Sequence, residues 1–171
     1  MAREQWTVDE THSVVEFSVR HMMISNVKGN FNRFSAHIEG DPHDLTDASI
    51  KFIIDASSID TRKEDRDEHL RSADFFEVDK YPEITFTATN IVQKTSDTYD
   101  VTGDFDMHGV SKLITFNVLF EGQVDDVVGF SADTEINRAD FGLSWNSTLE
   151  TGGVLVSEKV KINLDLQLHK D

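Results

Sequence analysis

Apolar and polar residues alternate along most of this chain, the pattern of a half-buried β-strand, because successive side chains of a strand point to opposite faces. The clearest run covers residues 159–170, KVKINLDLQLHK, in which every second residue from Val160 to Leu168 is aliphatic. Seven other runs show the same alternation or are rich in strand-forming residues. The pattern predicts eight strands, at about 13–21, 27–38, 48–55, 83–91, 98–107, 113–120, 129–136 and 159–170.

The predicted strands follow one another at short intervals, and turn-forming residues such as Gly109 and Gly122 separate them. This spacing is typical of an antiparallel all-β domain, either a sandwich or a barrel. Most strands have one apolar face and one polar face, so that one side meets an interior and the other meets water. No linker or repeat divides the chain, and we expect a single domain over residues 1–171.

One segment departs from this pattern, because eight of the ten residues from Arg62 to Arg71 are charged. Thr61 followed by Glu64 forms a capping box, which is a signature of a helix N-terminus. We therefore expect a short charged helix at about 61–72, held by docking its apolar C-terminal end on the sheet. Opposite charges spaced four residues apart add weak support, in the pairs Asp65–His69 and Asp67–Arg71.

The composition excludes several classes of partner and site. Lys and Arg total 16 and Asp and Glu total 32, a formal net charge of −16 that repels nucleic-acid backbones and anionic membranes. There is no cysteine, which removes disulfides and thiolate sites. No window approaches the ~18 apolar residues of a membrane-spanning helix, and the first residues carry no secretory signal. We expect a cytoplasmic protein with no nucleic-acid partner and no transmembrane segment.

No catalytic or cofactor motif stands out in the sequence. The chain lacks the nucleophile elbow, the phosphate-binding loops and the helical zinc motif. None of the seven histidines lies three or four residues from another, the spacing of a helical metal site. We therefore expect no catalytic residue, no metal site and no cofactor, although histidines on strands can still meet in space. The twelve phenylalanines have to fill a core or line an apolar cavity.

Five blocks of sequence form an ordered pattern along nearly the whole chain. The most specific is T-x-x-x-x-R-D-x-H-L at 61–70, followed by DFF at 74–76 and YPEITF at 81–86. In these blocks the chain resembles the YceI-like family of lipid- or polyisoprenoid-binding proteins. It departs from the family at 105–112, FDMHGVSK, where relatives often read L-T-I-x-G-V-T-K. We also expect no export signal of the kind that many relatives carry. The blocks lie at 6–21, 27–31, 57–86, 101–112 and 136–145.

The resemblance implies an eight-stranded antiparallel lipocalin-like barrel with an apolar lumen and the charged helix at its rim. It also implies a long isoprenoid or related amphiphile as ligand, and a homodimer as in several relatives. Two motifs supply candidates for contacts with the polar head of the ligand, R-D-x-H with Arg66, Asp67 and His69, and N-R-x-D with Asn137 and Arg138. The expected lumen-lining residues are Phe17, Val19, His21, Met23, Phe31, Phe34, Leu70, Phe75, Phe86, Ala88, Phe116, Val118, Ala132, Phe141 and Trp145.

We therefore expect non-catalytic binding, storage or transport of an apolar amphiphile such as a polyisoprenoid, an isoprenoid quinone or a fatty acyl lipid. Burial of its tail contributes ~0.8 kcal/mol per CH₂ group without any catalytic residue. Two alternatives stay open at this point. One is an enzyme that uses His21, His69 or His108 as acid or base on a small apolar substrate. The other is an interaction module whose lumen is filled by its own side chains and whose rim loops bind a protein.

Overall fold

The computed structural model describes residues 4–22, 24–145 and 156–171, which form eleven strands and one α-helix, α1 (Glu64–Arg71). Short 3-10 helices cover Glu10–His12, Ala56–Ser58 and Arg138–Phe141. The strands are β1 (Glu4–Val8), β2 (Val14–His21), β3 (Ser25–Phe31), β4 (Phe34–Asp41), β5 (Asp44–Asp55), β6 (Ile59–Asp60), β7 (Glu83–Gln93), β8 (Thr98–Met107), β9 (Val110–Val124), β10 (Val127–Asn137) and β11 (Val156–Lys170).

Strand β1 closes the sheet, because it pairs with β4 on one side and with β11 on the other. Trp6 lies opposite Ile38 of β4 and also opposite Lys170 of β11. The other strands of the ring follow in the order β4–β5–β7–β8–β9–β10–β11, and all of these neighbours are antiparallel. The result is a closed eight-stranded antiparallel barrel, which confirms the predicted fold class.

Three short strands extend this ring at the end of the barrel where α1 lies. Strand β2 pairs with the first part of β11, β3 pairs with β2, and β6 pairs with β3. Each of the three continues a strand of the ring, because brief interruptions divide β1 from β2, β3 from β4 and β5 from β6. The alternation pattern missed β1 and β6, which have only five and two residues.

The closing strand is fixed to β11 by a carboxylate in the turn after it. The backbone N–H of Asp9 donates to the carbonyl of Gln167 at 2.7 Å. The Asp9 Oδ2 lies 2.8 Å from His12 Nδ1 and 2.9 Å from His169 Nε2. The Asp9 Oδ1 accepts hydrogen bonds from the backbone N–H and the hydroxyl of Thr11. Hydrogen bonds from Thr11, and then from His12 and His169, hold the pKa of the Asp9 carboxyl well below its ordinary value.

Burial changes along the inward face of β11 and locates the packed end of the barrel. Val160, Ile162 and Leu164 are only half-buried, although they face the interior. Leu166 is 9% exposed and Leu168 is fully buried. The interior is therefore densely packed near β1 and less filled towards α1. Other residues of the packed end are Trp6, Leu45, Tyr99 and Val128, each 1% exposed.

The helix forms within the predicted segment, but the predicted capping box is wrong. Its N-cap is Lys63, which makes no side-chain capping bond. Arg62 has a φ of 67°, and this left-handed residue turns the chain between Thr61 and the helix. The predicted charge pairs are wrong as well, because other partners lie closer: His69 contacts Asp74, Arg71 contacts Glu64, and Asp67 accepts from Thr61.

The α-helix has eight residues and carries mostly charged side chains. A bilayer core requires about 20 consecutive apolar residues in a helix. Within the part of the chain that the structure describes, no helix is therefore long and apolar enough to span a membrane.

We expect Asp9→Asn to destabilise the barrel at neutral pH, because it removes the charge that binds β11 through His169. The folded-state pKa of Asp9 is lowered, so its stabilisation is present above the unfolded pKa and is lost as the pH falls towards the folded value. The difference between wild type and variant should narrow below about pH 4, near the pKa of an unfolded Asp. Urea denaturation across a pH series measures this difference. Asp104→Asn, exposed on β8, is the control. A difference that stays constant with pH would contradict the assignment.

Candidate functional site in the barrel interior

An apolar cavity of about 180 Å³ lies inside the barrel. Its lining is apolar except for Glu16, Thr85 and Arg138. Nine of the twelve phenylalanines contribute to it, so the aromatic content of the sequence is concentrated at this site. They are Phe17, Phe31, Phe52, Phe75, Phe76, Phe86, Phe105, Phe116 and Phe130.

The cavity persists because the aromatic rings pack against one another around it. Phe17 and Phe31 have ring centroids 5.6 Å apart, and Phe31 meets Phe76 edge-on at 5.9 Å. On the other strands Phe86 meets Phe116 edge-on at 5.0 Å. Such tilted and edge contacts are favourable geometries for aromatic pairs. The rings therefore form a wall and do not plug the interior from end to end.

Small residues leave room between the larger ones. Ala132 of β10 lies in register with Val118 of β9 and with Leu164 of β11, and all three line the cavity. Gly29 of β3 leaves room for the ring of Phe17 and for Thr61. A Cβ added at this position would lie 2.7 Å from Phe17 Cε1 and 2.9 Å from Thr61 Cγ2. Larger side chains at Ala132 would reduce the cavity directly.

The structure brings nine of the predicted lumen residues to the cavity. They are Phe17, Val19, Phe31, Leu70, Phe75, Phe86, Phe116, Val118 and Ala132. Met23 lies outside the described residues. Five others are placed elsewhere, His21, Phe34, Ala88, Phe141 and Trp145.

These five residues have their own surroundings. His21 ends β2, beyond the inward-facing residues of that strand. Phe34 stacks on Phe52 with ring centroids 5.9 Å apart. Ala88 lines a separate depression beside Trp6 and Lys51.

Phe141 and Trp145 lie near the rim and pack against other rings. Phe141 is fully buried and meets Phe105 edge-on at 5.5 Å. The ring centroid of Trp145 lies 4.8 Å from that of His69 and 5.3 Å from that of Phe75. Alternation gives no information on these two positions, because Phe141 and Trp145 lie outside the strands.

Other lining residues were not singled out from the sequence. Most of them lie on the inward faces of strands that the alternation had predicted, so the same signal would have found them. Phe76 and Leu143 are exceptions, since they lie outside strands. The missed residues include Val15, Ile38, Leu45, Ile50, Ile54, Ile84, Val101, Met107, Ile136, Val160, Ile162 and Leu166.

The R-D pair of the R-D-x-H motif binds the chain that precedes the helix. Asp67 is 4% exposed, and its Oδ1 accepts hydrogen bonds from the backbone N–H of Thr61 at 2.9 Å and from the Thr61 hydroxyl. Arg66 donates from Nε to the Thr61 hydroxyl at 2.8 Å and from Nη2 to the Thr61 carbonyl at 2.7 Å. These polar groups are therefore engaged in fixing α1.

The segment around α1 forms a roof over one end of the cavity. Arg71 donates to the carbonyl of Ser57 at 2.9 Å and to that of Ile59 at 3.1 Å, which attaches the helix to the β5–β6 connection. Beneath these polar bonds, the apolar side chains of Leu70, Phe75 and Phe76 line the cavity. The roof thus has a polar attachment and an apolar underside.

Arg138 organises the chain at the same end of the barrel. It is 5% exposed, and its guanidinium donates to four backbone carbonyls, those of Leu143, Trp145 at 3.0 Å, Val156 at 3.2 Å and Ser157 at 2.8 Å. Burial lowers its pKa, and the nearby charge of Glu158 acts in the opposite direction.

Asn137 also has a local structural contact, because its side chain accepts from the backbone N–H of Ala139 at 3.0 Å and caps the 3-10 helix at Arg138–Phe141. Together with Arg138 it shapes the connection between β10 and the cavity rim. The N-R pair of the second motif therefore lies at the same end of the barrel as α1.

The candidate acid or base histidines do not converge on the cavity. His69 Nε2 lies 2.9 Å from Asp74 Oδ2, and His108 Nδ1 lies 2.9 Å from the carbonyl of Phe141. Neither these two nor His21 lines the cavity. Among the described residues, no group of three potential ligands could hold a metal ion.

The fold and the site define a class of protein, a closed β-barrel domain with an apolar internal cavity. A model of the YceI-like domain matches residues 6–168. The chain belongs to the YceI-like family.

Relatives agree with this assignment. The chain is 37% identical to a UPF0312 protein of Staphylococcus epidermidis over 98% of both chains, and 38% identical to one of Staphylococcus aureus over 91% of this chain and 92% of that one.

Solved structures share the fold. Burkholderia cenocepacia BcnA has a TM-score of 0.84 at 26% identity, covering 94% of this chain and 98% of that one. A Campylobacter jejuni YceI protein has a TM-score of 0.76 at 32% identity, covering 88% of each chain. A polyisoprenoid-binding domain from Saccharophagus degradans has a TM-score of 0.78 at 18% identity, covering 97% of this chain and 98% of that one.

We expect Asp67→Ala to loosen α1, because it leaves the hydroxyl and N–H of Thr61 without their buried acceptor. The loss in free energy of unfolding should be about 1–3 kcal/mol, and amide hydrogen exchange over residues 61–72 should become faster. Asp65→Ala on the same helix is the matched control, since Asp65 is exposed. Hydrogen exchange by mass spectrometry would contradict this role if both variants exchanged at the wild-type rate.

Proposed function

We propose that this barrel binds the apolar chain of one amphiphile in its interior and holds it without chemical change, for storage or transport. The candidate ligands are a polyisoprenoid, an isoprenoid quinone or a fatty acyl lipid. The single observation that carries the proposal is the hollow, almost wholly apolar interior next to a roof held by polar bonds. A chain without polar groups is the chemistry that such a lining accepts.

The size of the cavity sets what it can accept. An apolar cavity of about 150 Å³ stays dry and binds benzene, so the present space of about 180 Å³ takes a short piece of chain as it stands. A longer tail requires displacement of side chains. Phe17, Leu70 and Phe76 are half-buried and lie towards α1, where such movement meets the least packing.

Burial of the tail is a sufficient source of affinity. Ten CH₂ groups contribute about 8 kcal/mol in gross terms. Association entropy and side-chain ordering oppose this gain by about 4 kcal/mol or more, so a micromolar affinity, which corresponds to about 8 kcal/mol net, requires a longer tail. No catalytic group is required, and no specific observation favours the enzyme alternative.

The polar head of the ligand is assigned to the rim beside α1. The donors of Arg138 already bind four carbonyls, and those of Arg66 bind Thr61, so we assign both residues to shaping the rim. His69 and Trp145, in contact with each other and with Phe75, are the better candidates for contact with a head group. The polyisoprenoid-binding domain from Saccharophagus degradans has the same fold and supports an isoprenoid as one candidate.

The proposal is tested by native mass spectrometry of the protein purified from its host, followed by organic extraction. We expect a mass increment that disappears on extraction and an extracted compound with a long hydrocarbon tail. Protein that carries no ligand and takes up neither a fluorescent fatty acid nor a fluorescent isoprenoid would count against it.

We expect Ala132→Phe to weaken binding of a fluorescent lipid probe by about tenfold or more, because the added ring fills space that the tail would occupy. Ser131→Phe on the same strand is the matched control, since residue 131 points to the opposite face. Probe titration with both variants measures the effect, and circular dichroism checks the fold. Equal affinity of the two variants would exclude the lumen around Ala132 as the binding site.

A further inference from the structure

His108 lies where the roof meets the rest of the barrel. Its side chain is 16% exposed, and its Nδ1 lies 2.9 Å from the carbonyl oxygen of Phe141. A carbonyl oxygen only accepts hydrogen bonds, so Nδ1 carries a hydrogen. The other ring nitrogen, Nε2, is buried and has no hydrogen-bond partner among the described residues. The Oε2 of Glu77 lies 3.9 Å from this nitrogen, which places a carboxylate beside an unused histidine atom.

The contacts of His108 join three segments of the chain, and each segment also lines the cavity. His108 belongs to the turn between β8 and β9, its Nδ1 contacts the rim through Phe141, and its Nε2 faces the roof through Glu77. The contact between the imidazole and the carboxylate therefore lies directly behind the wall of the cavity. Within two positions of the three contacting residues, the cavity is lined by Met107, Leu143 and Phe76.

The backbone holds the two sides of this contact in place. His108 has a φ of 57° and Glu77 a φ of 48°, left-handed conformations that residues other than glycine rarely adopt and that occur at switch regions. Tyr81 of the roof packs on the turn, because a Cβ added at Gly109 would lie 2.6 Å from Tyr81 Cε1. The ring of Tyr81 also meets that of His108 edge-on at 5.0 Å, and its N–H donates to the carbonyl of Glu77 at 2.9 Å.

We propose that His108 and Glu77 form a pH-dependent latch, which holds the roof closed when His108 is protonated and releases it when His108 is neutral. In the neutral ring, Nε2 presents a lone pair to the carboxylate, and neither group donates a hydrogen bond to the other. A proton taken up from water converts Nε2 into a charged donor. A charge at this buried atom requires a partner, and Glu77 supplies one.

The direction of the switch follows from the chemistry of histidine. Histidine is the side chain whose charge ordinarily changes between about pH 5 and 8. The ion pair with Glu77 is therefore present at the acidic end of this range and is lost as the pH rises through it. The roof is held more tightly in the first condition than in the second.

Other charged groups of the three segments do not substitute for this pair. Arg138 binds four backbone carbonyls, and the other groups are exposed, so that salt screens them. The charged residues that flank the contact are Asp79, Lys80, Asp106, Arg138 and Asp140.

A second histidine and carboxylate lie close together near the latch. His69 Nε2 lies 2.9 Å from Asp74 Oδ2, but both residues belong to the roof. Protonation of His69 therefore strengthens a contact within the roof, whereas protonation of His108 strengthens one between the roof and the barrel.

The consequence for a ligand rests on the proposed function, and it is tested by the release of a fluorescent isoprenoid alcohol, a probe without a titrating group. We expect the wild-type protein to release the probe about threefold faster or more at about pH 7.5 than at about pH 5.5. Glu77→Gln should abolish this dependence, because the amide has no charge and can donate to the neutral ring. Glu68→Gln, at an exposed position of α1, is the matched control and should behave as the wild type.

Nuclear magnetic resonance of the ligand-free protein separates the latch from the proposed function. Between the same two pH values, the amide resonances of residues 76–82 should shift together with the ring resonances of His108, and the shifts should be clearly smaller in Glu77→Gln. Equal shifts in the two proteins, or an equal pH dependence of release, would overturn the latch. If the wild-type protein bound no isoprenoid at either pH, the proposed function would fail, and the resonances would still decide the latch.

Discussion

The double pairing of β1 determines whether this sheet is open or closed. This five-residue strand pairs with both β4 and β11, and it thereby converts a sheet with two open edges into a ring. Closure turns the apolar face of every strand of the ring inward and leaves no unpaired edge in it. The bonds of Asp9 to Gln167 and His169 hold this junction at the packed end of the barrel.

A closed apolar face can be filled by side chains or left partly hollow, and this barrel does both. Near β1, large residues such as Trp6 and Tyr99 fill the interior. Towards α1, small residues such as Ala132 and rings that pack edge-on leave a cavity. The roof over the cavity is attached through hydrogen bonds of Asp67, Arg66 and Arg71, and its apolar side chains face the cavity.

Much of the fold could be predicted from the sequence, because alternation reports which residues share a face of a strand. Alternation could not predict β1 or β6, because strands of five and two residues are too short to show a period. The helix was predicted for its charge and spacing, but its cap was not, because the left-handed backbone at Arg62 is set by the contacts of Thr61 with Asp67 and Arg66. The closed barrel itself was predicted from the resemblance to a family and not from periodicity.

The site was harder to predict, because lining a cavity depends on contacts between residues far apart in the chain. Phe31 and Phe34 look alike in the sequence, but Phe31 faces the cavity and Phe34 stacks on Phe52. Arg138 could be singled out by its motif. The partners of Arg138 could not be predicted, because they are four backbone carbonyls and every residue has a carbonyl, whatever its side chain.

We propose that a hydrocarbon chain occupies the hollow half of the barrel in the cell. A high-resolution crystal structure of protein isolated from its host, without organic solvent or detergent, would reveal such a chain. We expect continuous elongated density between the aromatic walls, ending near the helix. Ordered water throughout that space, or side chains that close it completely, would show that no chain is bound.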